Sequence, residues 1–154
     1  LVGINYPNNA PGLYLGDKNN ELVVVMNTFD NIMEHITVKD IPLNKWICVI
    51  VRVDGKNLDV YINGTIVRRH VLQSVPKQNY DDVYVAMNGG FNGYISNLRY
   101  YSYALNLFSI QSIVTSGPNL NMEDKEMLDE EPKYFSTRWF LSGENVERAG
   151  YGGL

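Results

Sequence analysis

Apolar and polar positions alternate along this chain in short runs, and turn-forming residues separate the runs. Residues 22–29 (L-V-V-V-M-N-T-F) are rich in β-branched side chains and predict a strand. Residues 35–38 predict a second, shorter one. The strongest strand signal lies at 46–53, where Trp46, Cys48, Ile50 and Arg52 share one face and Ile47, Val49, Val51 and Val53 the other. Both faces are largely apolar, which predicts a central strand covered on both sides. In the next run Leu58, Val60 and Ile62 share one face, while Asp59 and Tyr61 point the other way. That alternation predicts a strand with a wetter side. Residues 65–72, 83–87 and 94–101 supply three further strand signals.

The punctuation supports the same reading. Asp54-Gly55 and Asn63-Gly64 suit tight hairpin turns, because these residues tolerate positive φ. Residues 105–114 set apolar side chains at 107, 110, 113 and 114, a helical spacing. Ser116-Gly117-Pro118 ends that helix, since glycine suits the C-cap region and proline blocks continuation. Roughly seven short strands with turns between them predict an all-β chain, an antiparallel β-sandwich with one short helix and a C-terminal extension. The expected division is 1–117 for the sandwich and 118–154 for an acidic linker and an aromatic docking tail.

Composition sharpens this outline. At 154 residues the chain suits one domain with a tail, and 45% hydrophobic content is that of an ordinary globular protein. Of its 18 aromatic residues, 11 are Tyr, which suits half-buried strand positions. The net charge of −4 comes from residues 118–154, because residues 1–117 carry 9 acidic and 9 basic side chains. No basic stripe is present, so nucleic acid is not an expected partner. Cys48, the single cysteine, sits in an apolar I-C-V-I-V run and reads as a core thiol. No run of about 18 apolar residues occurs, so no membrane span is expected in this segment. The chain begins at Leu1 rather than Met, and it reads as a piece of a longer protein.

The order of motifs carries a resemblance. Trp46 opens a strand, a D-G turn follows, and L-D-V-Y-I-N-G makes a hairpin end. F-N-G-Y-I-S-N-L-R-Y-Y and Y-A-L then lead into the helix. Across residues 11–117 the chain resembles the laminin-G-like, concanavalin A-like lectin/glucanase superfamily. The resemblance implies a jelly-roll sandwich, with Trp46 as a core anchor and Phe91-Asn92-Gly93 entering a late strand. Such domains carry one or two strands before the equivalent of Leu13-Tyr14-Leu15, so either the start is missing or another chain completes the sheet. The aromatic tail is faintly similar to domains of large-DNA-virus virion proteins.

Chemistry adds little to the strands themselves. A glycosidase needs paired carboxylates facing one groove. No predicted strand carries alternating acidic residues, and the acidic run at 123–131 reads as solvated surface. His35 and His70 stand alone as candidates for acid–base work, so an enzyme is not expected. Carbohydrate recognition needs exposed rings with amides nearby, which singles out Tyr61 and Tyr94, with Asn88 and Asn92. Tyr100, Tyr101 and Asn97 extend that set. Related sandwiches often bind calcium at the rim, and for that ion Asp81 and Asp82 are the expected ligands. Asn63-Gly64-Thr65 fits the glycosylation pattern, but the hairpin already demands Asn-Gly. In the tail, Tyr134, Phe135, Trp139 and Phe140 are too apolar for a solvated segment and are the expected partner-docking residues. Two functions follow as expectations. One is a non-catalytic module recognising a glycan or protein. The other is an assembly component of a virus particle docked through the tail, with other virion proteins as partners. Virion or extracellular surface is the expected location.

Overall fold

The computed structural model describes residues 9–16, 19–80 and 82–121, with Asn88 described by its backbone alone. The chain divides after Asn119, and the first unit holds every element below. Among the described residues six strands and one α-helix form in chain order: β1 (Gly12–Leu15), β2 (Leu22–Met26), β3 (Glu34–Val38), β4 (Val49–Asp54), β5 (Asn57–Ile62), β6 (Thr65–Val71) and α1 (Leu107–Ser116). They make two antiparallel three-stranded sheets, ordered β1-β2-β3 and β4-β5-β6.

The two sheets share one core. Leu22, Val24, Met26, Ile36 and Val38 from the first pack with Leu58 and Val60 from the second. Ile41 and Leu72, beside the strands, close this layer. Each such aliphatic side chain contributes roughly 1.5–3 kcal/mol when fully buried. The sheets also meet at a polar join. Glu34 of β3, 5% exposed, accepts a bond from His70 Nε2 of β6 at 2.7 Å and from the Gln73 amide at 3.0 and 3.1 Å. On the far side of the second sheet, Ile110 of α1 packs with Tyr61 and Leu105, and Ile50, Tyr101 and Ile113 lie at the margin. The described layers are therefore sheet, sheet and helix.

The turns follow the sequence. Asn63 and Gly64 take φ of 51° and 81°, and Gly55 takes 60°, as two-residue hairpins need. Helix α1 is capped by Asn106, whose side chain accepts from the Ser109 amide at 2.8 Å, and it stops at Gly117, φ 68°.

Four expectations need correction. Among the described residues strand 46–53 lies at the edge of its sheet rather than at the centre, and β5 holds the centre. Its ladder starts only at Val49, because the left-handed Asn63 turns its side-chain carbonyl to take the Cys48 amide at 2.9 Å. Trp46, ahead of that ladder, is 44% exposed and anchors no core. The wetter side of β5 is buried: Asp59 is 0% and Tyr61 5% exposed. Arginines neutralise Asp59, and α1 covers Tyr61. Residues 83–87 and 94–101 form no ladder. Ala86, Gly89 and Gly90 all take positive φ around a 3₁₀ turn at Met87–Gly89, and Asn97 does so at 53°, which breaks extended pairing.

Candidate functional site

Within the second sheet Asp54 and Asp59 meet Arg52 and Arg69, and the geometry of this cluster is structural. Arg69 makes a forked contact to Asp59, Nε–Oδ1 2.7 Å and Nη2–Oδ2 3.0 Å. Arg52 adds Nη1–Oδ2 at 3.4 Å, bonds Asp54 at 2.7 Å, and donates from Nε to the Leu105 carbonyl at 2.8 Å. Hydrogen bonding from Arg69 holds the Asp59 carboxyl below the ordinary carboxylate value, against the opposing effect of burial. Such a carboxylate is held as an anion and is unsuited to proton transfer near neutrality. Arg52 thereby ties β4 to the start of α1. Burial pushes the Cys48 thiol up, away from the thiolate that nucleophilic chemistry needs.

An open groove lies between residues 99–105 and α1. Arg99, Tyr101, Tyr103 and Leu105 line one wall of a groove. Phe108, Ser109, Ser112, Ile113 and Ser116 of α1 line the other. The spacing 109, 112, 116 puts the three serines on one helix face. The groove encloses about 430 Å³, within the range of roughly 300–1,000 Å³ of ligand clefts. Tyr101 and Tyr103 meet edge to face, with centroids 5.9 Å apart. Phe108 is 88% exposed and Tyr103 66%, so both rings offer apolar area to a ligand. Arg99 is exposed and has no hydrogen-bond or ion-pair partner among the described residues. No carboxylate or imidazole is among the lining residues.

The residues singled out from the sequence fall in different places. Tyr61 is in the core, and its ring is closed to a ligand. Tyr94 is exposed and stacks at a tilt on Trp46, centroids 6.4 Å apart. Asn92 is exposed on the loop before Tyr94, and Asn88 lies in the 3₁₀ turn. The Asn97 amide donates to the Gly117 carbonyl at 3.1 Å, so that side chain braces the end of α1. Asp82 is exposed, and Asp81 lies outside the described residues. Among the described residues, no group of three or more His, Cys, Asp or Glu side chains is placed to hold a metal ion. Tyr134, Phe135, Trp139 and Phe140 also lie outside the described residues. No described helix is long and apolar enough to cross a membrane.

Arg99, Tyr103, Phe108 and the three helix serines were not expected from the sequence. Helical spacing at 109, 112 and 116 was a signal that could have found the serines, while nothing local marks Arg99 and Tyr103.

Comparison with known proteins returned few relatives. No curated protein matches the chain. An S-layer domain-containing protein from Clostridium thermocellum (residues 221–444) is similar in structure, with 17% identity and a TM-score of 0.37. That similarity covers 74% of this chain and 66% of the other. A family model described as Laminin_G_3, concanavalin A-like lectin/glucanases superfamily, matches residues 5–111. With two facing antiparallel sheets, a closing helix and a match over most of its length, the chain belongs to the concanavalin A-like lectin/glucanase superfamily as a laminin-G-like β-sandwich.

Proposed function

We propose that this domain is a non-catalytic recognition module that binds a glycan along the groove between residues 99–105 and α1. The observation that carries the reading is the lining itself: open rings of Tyr103 and Phe108 beside hydroxyls and one guanidinium. Sugar rings present an apolar C–H face and an equatorial belt of hydroxyls. Aromatic faces complement the first, while serine hydroxyls and an arginine complement the second. A cleft of about 430 Å³ open along one side suits part of a chain rather than an enclosed small molecule. The lack of a carboxylate among the lining residues supports binding without cleavage, because glycoside hydrolysis needs two of them. Residues 81 and 82 remain the place for a calcium ion in this reading, and added calcium is one arm of the test.

A glycan array followed by titration calorimetry tests the proposal. Saturable binding to at least one glycan class is expected. Tyr103→Ala and Phe108→Ala should each weaken it roughly tenfold, about 1.4 kcal/mol. Tyr61→Phe should leave it unchanged. A silent array across broad glycan classes, with and without calcium, would sink the proposal.

A further inference from the structure

Three Asn-Gly pairs stand in the chain, at 63–64, 88–89 and 92–93. Asparagine is a thermolabile residue, and a following glycine makes it more so, because a residue without a side chain lets its backbone nitrogen approach the carboxamide. How fast the reaction runs in a folded chain depends on how tightly the pair is held. The three pairs are held very differently.

Asn63-Gly64 is pinned from several sides. The Asn63 amide donates to the Cys48 carbonyl at 2.8 Å, and its Oδ1 takes the Cys48 N–H at 2.9 Å. Ile62 and Thr65 pair across the turn, and Gly64 lies against Gln111 and Val114 of α1. Turning the Asn63 carboxamide toward the Gly64 nitrogen would break its bond to Cys48. Asn88-Gly89 belongs to the 3₁₀ turn Met87–Gly89, which the Gly90 amide closes on the Met87 carbonyl at 3.1 Å. Asn92-Gly93 has no such restraint. Both residues are exposed in a bend outside any strand or helix. Among the described residues neither the Asn92 side chain nor the Gly93 amide makes a hydrogen bond. A Cβ at Gly93 would collide with the Phe91 ring, so packing calls for the glycine and reactivity comes with it.

We propose that Asn92 is a site of spontaneous modification, converted with age to aspartate and isoaspartate, while the fold protects Asn63. The Gly93 nitrogen loses its proton to hydroxide, attacks Asn92 Cγ and forms an N–Cγ bond. The Cγ–Nδ2 bond breaks, and the nitrogen leaves as ammonia after taking a proton from water, which regenerates the hydroxide. Water then opens the cyclic imide. Opening at Cγ leaves aspartate, and opening at the backbone carbonyl carbon of residue 92 leaves isoaspartate, with the chain running through the side-chain carbon. The net change consumes one water, releases one ammonia and transfers no electrons. Either product places a carboxylate on the loop before Tyr94, and isoaspartate also lengthens the backbone that leads to the Trp46–Tyr94 ring contact.

Holding the folded 1–154 chain at mildly alkaline pH, then mapping its peptides by fragmentation mass spectrometry, tests this. Isoaspartate is read separately, as methyl acceptance from an isoaspartyl methyltransferase. Conversion at Asn92 should exceed that at Asn63 by roughly tenfold or more. In guanidinium chloride above the unfolding midpoint the two rates should converge, because both pairs then have the same local chemistry. Asn92→Gln should remove most of the methyl acceptance, since the longer side chain closes its ring far more slowly. The proposal is overturned by any of four results: equal rates at Asn92 and Asn63 in the folded chain, a ratio that persists after unfolding, faster conversion at Asn88 than at Asn92, or methyl acceptance unchanged in Asn92→Gln.

Discussion

Asp59 shows how much one side chain can change the reading of a strand. Placed between Leu58 and Val60, it resembles a solvent-facing residue of an amphipathic strand. It is instead fully buried, because Arg69 lies across it from β6 and Arg52 reaches it from β4. Those three residues sit on three neighbouring strands in direct register, a relation no local pattern contains. Replacing Asp59 by Asn should lower stability at pH 7 by about 1–2 kcal/mol, since Arg69 and Arg52 lose a charged acceptor while Arg69 remains open to solvent. Because the folded pKa lies below the ordinary 3.8, the stabilisation is complete above about pH 4. It is lost as pH falls through the depressed value. Urea unfolding between pH 7 and pH 2 should therefore show the gap between wild type and Asp59→Asn closing only at the acid end. A gap that closes between pH 7 and 5 would contradict this assignment.

Among the elements, hairpins and helix were legible and the later strands were not. The β4-β5 and β5-β6 turns and the limits of α1 are written in Asp-Gly, Asn-Gly, Asn106 and Gly117, because caps and tight turns depend on backbone angles that few residues adopt. Asn106→Ala should destabilise the domain by about 1 kcal/mol, and Gly117→Ala by a comparable amount, read as lowered midpoints in urea. Since α1 forms one wall of the groove, the glycan affinity of both variants should fall more than that of a surface control such as Lys45→Ala. Residues 83–87 and 94–101 have strand composition but no ladder. Strand propensity reports fit to a half-buried pleated surface, and here Ser96 and Asn97 bond Asn119 and Gly117 instead of a neighbouring strand. The groove wall formed by Arg99, Tyr101 and Tyr103 was hidden for the same reason.

At the scale of the whole described domain, the two sheets are coupled by a shared aliphatic core and by the join of Glu34, His70 and the Gln73 amide. Glu34 and His70 are 36 residues apart. Glu34→Ala leaves a buried amide and an imidazole without their acceptor, which should cost about 2–3 kcal/mol. The double variant with His70→Ala should cost less than the sum of the two singles, because the pair is lost only once. Strict additivity in chemical denaturation would show that the join contributes nothing to holding the sheets together.

The sequence alone determined the antiparallel sandwich, its hairpins, its helix and its family. Alternation, turn chemistry and capping act within a few residues and can be read along a line. Tertiary structure alone decided which strand is central, which face of β5 is dry, where Trp46 and Tyr61 point, and which surface is open. Those outcomes depend on neighbours brought together from 10 to 53 positions apart, as in Arg69 on Asp59 and Arg52 on Leu105. Burial is a property of such neighbours, and a residue's own identity does not fix it.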